Sequence, residues 1–518
     1  LHVAIGAAAG ALLVLAFPPF PLWPLAGVAP GVLCWIAVRG ARGGVQAALA
    51  GAAFGGVFFS GTVYWVIPVM WSYGGLPRWL AVLVFLPLLA YLAASPAVFA
   101  ALLYRVRLRR GPVVALAIAP CLWTGLEIIR NYALTGFPWV RLGLALHDFP
   151  LLLQGAALAG VYGLSFMLMG VAVACAALVG AAPRPVALRF TAAAACAVGI
   201  VAAWGWMRLT DLAAEARDAG PERRLRVACV QGNVAQAQKW APGQAEAHLA
   251  THVRLSEEAY RNGAGLVVWP ESSLPMALRS QARMEQAVRE VARRSGRPLV
   301  VGSLDTRRAS TGDRAIYNSA FLIAADGSIA GIYDKVHLVP FGEYVPAKRW
   351  LWFVDSLVQE VGGLHAGAEG RPLVTSSLAA PLGVEICYEI VFPEISRRAV
   401  RLGAGLLVNL TNDAWFGDTP APYQHFAEAK VRAVESGRYL IRAANTGVSG
   451  IVAPTGVVLA TAHLDAQAVI AGEVLWREER TPYVVMGDLV AWACVTLAIV
   501  VLLLPRVPFD PRRMNPSP

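Results

Sequence analysis

A chain of 518 residues that is 57% apolar and only 15% charged, with a mean hydropathy of +0.55, is too hydrophobic for a wholly water-soluble protein, whose domains carry about 25% charged residues. Its formal charge of +11 does not form the basic stripe of a nucleic-acid binder. Many arginines instead sit between apolar stretches, where anionic lipid headgroups are the expected neighbours and no nucleic-acid partner is called for. Residues 1–206 hold 11 arginines, no lysine and two acids, Glu127 and Asp148, whereas residues from about 211 to 480 have the composition of an ordinary soluble domain.

A membrane helix needs roughly 20 mainly apolar residues. Along the chain, eight spans are expected near 2–18, 23–38, 45–68, 79–104, 112–131, 151–182, 187–206 and 483–504, with FPPFPLWP at 17–24 as a tight turn between the first two. The opening apolar run lacks a signal-peptide n-region and leads into further spans, so a retained helix is expected rather than a cleaved signal. Glycine and alanine in 45–68 and 151–182 permit close helix packing. The expected organisation is a seven-helix membrane domain at 1–206, a water-facing domain at 221–476, a closing helix at 483–504 and a disordered polar tail at 505–518. The basic loops carry Arg39, Arg42, Arg105, Arg107, Arg109, Arg110, Arg184, Arg189, Arg506, Arg512 and Arg513, and with eight spans all fall on one side. The opposite loops hold only Arg78, Arg130 and Arg141. By the positive-inside rule both termini are expected to be cytoplasmic and the large domain external, which in a two-membrane bacterium is the periplasm. Arg130, beside NYALTGFPW (131–139), is either a phosphate contact at a lipid entrance or an arginine snorkelling from a helix end.

From Arg224 the pattern changes. LRVACVQGN (225–233), AGLVVWPESS (264–273), RPLVVGSLD (297–305), AIYNSAFLIAADGS (315–328), LGVEICYE (382–389) and GAGLLVNLTND (403–413) are apolar strands that run into polar ends. Helical stretches at 244–263, 284–296 and 393–403 alternate with them, and 439–447, 450–456 and 466–474 add later strands. Buried strands alternating with amphipathic helices predict an α/β layered core, and the AADGS turn predicts an antiparallel hairpin, so the sheet is mixed.

In α/β folds reactive residues gather at the carboxyl ends of strands. Three potential reactants lie at such places: Glu271 after the WPE strand, Lys335 after the hairpin strand in GIYDKVHLVPFGE (331–343), and Cys387 at the end of GVEIC. A thiol is mostly protonated at neutral pH and needs a base and a nearby cation to attack a carbonyl. A glutamate supplies the base, and a lysine stabilises thiolate and oxyanion. The set needs no histidine, and none of the eight histidines stands in a recognisable nucleophile context. Taken singly, each residue also has a bland reading: a core cysteine, a capping glutamate, a surface lysine. Five of the seven cysteines lie in apolar spans, where cysteine packs as a small hydrophobe. With only Cys229 and Cys387 in the soluble part and no CxxC or metal-ligand spacing, no disulfide framework, metal or cofactor is expected.

VWPESS with Glu271, YDKVHLVPFGEY with Lys335 and EICYE with Cys387 resemble the nitrilase superfamily of carbon–nitrogen hydrolases, which use a Glu-Lys-Cys triad on an α-β-β-α sandwich. Together with QGNVAQAQKW (231–240), LVPFGEYVP (338–346), NLTNDAWFGDT (409–419) and the flanking spans, nearly the whole chain is similar to its membrane-bound branch, the apolipoprotein N-acyltransferases. That resemblance implies Glu271 as general base, Cys387 as the nucleophile that takes an acyl chain from a phospholipid (the sn-1 chain of phosphatidylethanolamine), and Lys335 as the oxyanion-stabilising lysine. The acceptor it implies is the α-amine of the S-diacylglyceryl cysteine of an apolipoprotein. It further implies supporting roles for Glu343, Tyr388 and Glu389 and lid positions for Trp240 and Trp415. On physical grounds Glu343 can hold Lys335, the Tyr388 backbone N–H can join the oxyanion hole, and Glu389 can orient Lys335 or a loop. Each has a packing or bracing alternative. Asn412 and Asp413 end a strand near the site, where asparagine and aspartate more often make a turn. WFGD and APYQHFAEAK (421–430) mix aromatic and polar residues in the manner of a loop that meets lipid.

Both implied substrates are lipid-anchored. With about 0.8 kcal/mol per buried methylene, extracting them from the bilayer is prohibitive, which accounts for the attached spans. The alternative enzyme reading, a membrane-tethered amidase, uses the same triad. A transporter or receptor would place polar groups inside the spans, where few occur. No assembly motif is evident, and a monomer suffices.

Overall fold

The computed structural model describes residues 1–239, 243–308, 314–345, 363–368 and 370–505. The chain forms two compact units: residues 1–68, 77–209 and 486–518 make one, and residues 69–76 and 210–485 the other.

The first unit is helical. Six helical segments are long and apolar enough to cross a membrane: Trp23–Gly40, Gly44–Val63, Arg78–Arg110, Pro112–Thr135, Ala156–Ala181 and Arg184–Asp218. The first and last of the eight expected spans are shorter apolar helices, His2–Val14 and Leu489–Leu503, of 13 and 15 residues. At 1.5 Å per residue they fall short of the roughly 30 Å hydrocarbon core, so the expected count of eight is not reached by length. Small residues set the spacing: a Cβ on Gly10 would stand 2.2 Å from the Phe54 carbonyl, and one on Gly51 2.2 Å from that of Pro96. Gly44–Val63 therefore packs backbone to backbone against a helix on either side. Arg130 turns inward rather than snorkelling. It is buried, donates to the Trp139 carbonyl at 3.2 Å and lies over the Phe59 ring at 5.1 Å. Glu127 accepts from Trp123 Nε1 at 3.0 Å and from the Leu142 backbone at 2.7 Å.

The second unit is an α-β-β-α sandwich. Its strands are β1 (Arg224–Gln231), β2 (Leu266–Val268), β3 (Leu299–Arg308), β4 (Arg314–Ile323), β5 (Ile329–Asp334), β6 (Leu382–Ile386), β7 (Leu406–Thr411), β8 (Leu440–Ala444), β9 (Gly450–Val452), β10 (Val458–Thr461) and β11 (Ala468–Leu475). They form a six-stranded sheet, β11-β1-β2-β3-β4-β5, and a five-stranded sheet, β10-β9-β8-β7-β6. β1, β2 and β3 are parallel, as are β6, β7 and β8, and the flanking strands are antiparallel. The AADGS turn closes the β4–β5 hairpin, with the Ala324 N–H donating to the Ser328 carbonyl at 2.8 Å.

The period of two explains why these strands are apolar throughout. Val227 and Cys229 of β1, Leu266 and Val268 of β2, and Leu382, Val384 and Ile386 of β6 fill the layer between the sheets. The alternate residues, Ala228, Val230, Val267 and Trp269, pack under helices α1 (Ala245–Arg261) and α2 (Ala282–Ser295). Cys229 is fully buried in the inter-sheet core, and all seven cysteines are free thiols. On the five-stranded sheet lie α3 (Pro393–Arg401) and α4 (Ala421–Ser436). α4 corrects the reading of APYQHFAEAK as a lipid-facing loop. Proline in its first turn and Gly437 in the left-handed region at its end (φ 62°) punctuate a helix. Its polar residues looked loop-like because nearly every one is buried against another polar partner.

Candidate active site

Three strand ends from the two sheets supply the three candidate residues. Glu271 follows β2 by three residues, Lys335 immediately follows β5, and Cys387 immediately follows β6 as the first residue of a 3-10 turn, Cys387–Val391. Lys335 Nζ lies 2.9 Å from Glu343 Oε1 and 3.5 Å from Glu271 Oε1. The two carboxylates and the ammonium are all buried or nearly so. Burial alone would lower the Lys335 ammonium, but Glu343, then Glu271, then Cys387 raise it above its ordinary value and keep it charged. Asn318, on β4, bridges the carboxylates, its Nδ2 donating to Glu271 Oε1 at 2.7 Å and Glu343 Oε1 at 3.2 Å. Its backbone carbonyl receives the Lys335 N–H at 2.8 Å. Glu343 Oε2 also accepts the Val339 N–H at 2.7 Å, which fixes the loop that carries it.

Electrostatics make Cys387 a thiol at rest. Burial of its sulfur and the nearby Glu271 carboxylate push it up to about 12, against the opposing pull of Lys335 and the Thr411 hydroxyl. Cys387 has φ +54°, a conformation that costs a non-glycine residue about 1 kcal/mol or more. Hydrogen bonds on either side hold it: the Ile386 N–H donates to Glu389 Oε2 at 2.6 Å, and His425 Nε2 is 3.1 Å from the Cys387 carbonyl.

Glu389 is a buried tie between sheets. Its Oε1 accepts from the N–H groups of Val336 at 2.7 Å and His337 at 3.1 Å, and Tyr333 OH reaches both oxygens at 3.1 and 3.0 Å. Burial pushes its carboxyl up to about 7, against the Ile386 N–H and Lys335. It binds the backbone just past Lys335 to the backbone just before Cys387. Tyr388 is buried, its ring edge-on to Phe392 at 5.1 Å.

Of the two tryptophans expected at lid positions, Trp240 lies outside the described residues. Trp415 ends the turn Asp413–Trp415 and meets Tyr73 edge to face at 5.2 Å, while Tyr73 OH donates to the Ala414 carbonyl at 3.0 Å. Sequence reasoning missed several groups. Asn318 is a polar residue inside an apolar strand, a signal that was legible. Lys239 is buried and its Nζ lies 3.3 Å from the Glu271 carbonyl. Asp413, read as a turn residue, and His425, read as having no nucleophile context, both lie behind Cys387 and were joined only by the fold. Among the described residues no cluster of three or more histidine, cysteine, aspartate or glutamate side chains could hold a metal.

Residues 226–477 match the carbon-nitrogen hydrolase family model, and residues 9–174 match that of the apolipoprotein N-acyltransferase N-terminal domain. Among curated relatives, the apolipoprotein N-acyltransferase of Geobacter metallireducens is 38% identical over 502 residues, which is 96% of this chain and 93% of the relative. The Bradyrhizobium diazoefficiens apolipoprotein N-acyltransferase is 34% identical over 96% of this chain and 94% of its own. Nit3 of Saccharomyces cerevisiae, a solved nitrilase-superfamily structure, is 22% identical, with a TM-score of 0.39 over 50% of this chain and 93% of its own. By near-full-length identity, and with both of its domains matched in order, the chain belongs to the apolipoprotein N-acyltransferase family.

Proposed function

We propose that this integral membrane acyltransferase moves an acyl chain from a phospholipid to Cys387 and then to the α-amine of an S-diacylglyceryl cysteine at the N-terminus of an apolipoprotein. The observation that carries the reading is the buried Glu271–Lys335–Glu343 cluster beside Cys387. Glu271 takes the Sγ proton as sulfur attacks the ester carbonyl. The oxyanion then finds the Lys335 ammonium and the Tyr388 N–H. Collapse breaks the ester C–O bond, and Glu271 returns the proton to the departing lysophospholipid oxygen, which leaves a thioester. In the second half the neutral amine attacks the thioester carbonyl, Glu271 takes a proton from nitrogen, and the C–S bond breaks to regenerate the thiol and an amide.

Glu343 keeps Lys335 charged and aimed, Glu389 holds the lysine and cysteine loops together, and Trp240 and Trp415 take the lid roles that the family resemblance implies. Transfer rather than hydrolysis suits a thioester, which reacts readily with amines. The arginine distribution between spans supports cytoplasmic termini and a periplasmic site in the inner membrane. Phosphatidylethanolamine and its sn-1 chain are the proposed donor, and a monomer the proposed state.

The test is reconstitution with chain-labelled phosphatidylethanolamine and a diacylated lipopeptide. Intact-mass analysis should find one acyl group on Cys387 without acceptor and on the peptide amine with it. Steady release of free fatty acid with no adduct would instead identify a hydrolase.

A further inference from the structure

The mechanism above uses one face of Cys387. The other is backed by a second buried ionic cluster that the chemistry leaves without a task. Asp413, two residues past β7, accepts from Arg442 Nη2 at 2.8 Å through Oδ2 and from the Thr411 hydroxyl at 2.9 Å through Oδ1. Arg442, on β8, spends its remaining donors on the Asn409 side chain and the Val448 carbonyl. His425, on α4, places Nδ1 3.0 Å from Asp413 Oδ1 and 3.0 Å from Arg442 Nη2. All three side chains are at most 2% exposed. The cluster has no room to relax: a Cβ on Gly447 would come within 2.3 Å of Asp413 Oδ2.

One contact leads from this cluster to Cys387: His425 Nε2 meets its carbonyl oxygen at 3.1 Å. A carbonyl only accepts, so Nε2 carries a proton. Nδ1 lies 3.0 Å from Asp413 Oδ1, which only accepts, so the ring is held at both nitrogens. A trans peptide points its C=O and N–H in opposite directions. Pinning the Cys387 carbonyl on the His425 side thus aims the N–H of the same peptide, that of Tyr388, the other way.

We infer that His425, locked by Asp413 and Arg442, is a positioning residue that orients the Cys387–Tyr388 peptide and thereby sets the backbone half of the oxyanion hole. This rests on the reading of Cys387 as the acylated nucleophile. His425 touches no reacting atom. Its effect is confined to steps with an oxyanion, namely formation and aminolysis of the thioester, and it is indifferent to reactions of the sulfur that have none.

That distinction supplies the test. Full-length protein in phosphatidylethanolamine nanodiscs is assayed for two single-turnover rates: acyl-adduct formation on Cys387, and alkylation of Cys387 by iodoacetamide, an SN2 reaction with no oxyanion. His425→Leu removes the donor, His425→Gln returns an N–H at the reach of Nε2, and His425→Asn carries one only at the reach of Nδ1. Losing an oxyanion-hole donor costs about 100- to 1,000-fold, and mis-aiming one costs a good part of that. Acylation should fall about 10- to 100-fold in Leu and Asn and recover to within about threefold in Gln, with alkylation within about threefold throughout. Equal loss of acylation and alkylation in Leu, or acylation at the wild-type rate in Leu, overturns the inference. If Leu does not fold, the pair Gln and Asn decides, and equal acylation rates for those two overturn it. Failure of the underlying reading is separate, since the unmodified protein would then form no adduct.

Discussion

Cys387 sits between two buried clusters of nearly the same composition, and they do opposite things. In front, one cation, Lys335, is shared by two carboxylates, Glu271 and Glu343, with an asparagine between them. Behind, one cation, Arg442, faces one carboxylate, Asp413, with a histidine and a threonine filling the remaining valences. The front cluster has an excess carboxylate and a compact, rotatable ammonium, so a proton or an oxyanion can enter it. The rear cluster is charge-balanced and is built on a planar guanidinium whose fork is held by Asp413, Asn409 and Val448, with His425 alongside. Burial alone would raise the Asp413 carboxyl, yet Arg442 and His425 hold it at about 2, so it stays ionised at any working pH. Burial of charge is thus common to both regions. On the proposed mechanism, surplus and slack distinguish a group that reacts from one that holds.

The comparison is most strongly tested by emptying the front. Cys387→Ala, Glu271→Gln and Lys335→Met should each lower acyl transfer by on the order of 10⁴-fold, and the Glu271→Gln/Lys335→Met double variant should be little worse than either alone, because the groups act as a unit. Labelled-phospholipid turnover measures this, and a loss that multiplies across the double would separate their roles. Emptying the rear should cost folding instead. Arg442→Met leaves Asp413 ionised, buried and without its main cation, so the protein should lose about 3–5 kcal/mol, read as a lower midpoint of thermal unfolding in detergent. In Arg442→Met/Asp413→Leu, with both charges gone, much of that loss should return.

The state of the thiol is a sharper check on the front. An ordinary cysteine titrates near 9.0, whereas burial and Glu271 push Cys387 up to about 12. The raised value means that thiolate is scarce throughout the neutral range. Iodoacetamide alkylation of Cys387 should therefore climb about tenfold per pH unit from 7 to 9 with no plateau, and level off at lower pH in Glu271→Gln, where the neighbouring negative charge is gone. A plateau near pH 7 in the native protein would mean a standing thiolate. The tie across the site comes next in size. Glu389→Gln presents an NH₂ where a carboxylate oxygen now accepts a backbone N–H, from Ile386 on one side or Val336 and His337 on the other. It should cost about 1–3 kcal/mol of stability and slow both half-reactions together.

These two clusters also differ in how far the chain alone betrays them. Glu271, Lys335 and Cys387 each end an apolar run, so the polarity switch that closes a strand marks the residue that chemistry can use. Glu343 was legible through its place in the LVPFGEY loop. Asp413 and His425 were not. An aspartate after NLTN is what any turn would carry, and the polar character of Gln424, His425 and Glu428 concealed a helix with almost no exposed face. Their partner Arg442 is a charge inside the apolar strand LIRAA, a local conflict that only a long-range neighbour resolves. The sandwich was legible because strand alternation is a local signal. The helical unit was less so at its two ends, where apolar composition continues past the residues that are helical. His2–Val14 and Leu489–Leu503 are shorter than the apolar stretches that suggested them.

The smallest effect is expected at Trp415, and it bears on whether the rear cluster reaches the surface. Trp415 lies two residues past Asp413 in the same 3-10 turn, partly exposed, with its ring against Tyr73 and the preceding carbonyl held by Tyr73 OH. Residues 69–76 belong to this unit although they lie among the apolar helices in sequence, so the turn is clamped from a distant part of the chain. Trp415→Phe keeps an edge-to-face ring and leaves the Tyr73–Ala414 hydrogen bond untouched. An aromatic pair is worth about 0.5–1.5 kcal/mol beyond its area, and most of that survives the change. Acyl transfer should fall less than about threefold, whereas Tyr73→Phe, which deletes the hydrogen bond and frees the turn that carries Asp413, should lose about 0.5–1.5 kcal/mol of stability. Were Trp415→Phe the more damaging of the two, the indole would be meeting substrate, and the turn would belong with the reacting side of Cys387 rather than the side that holds it.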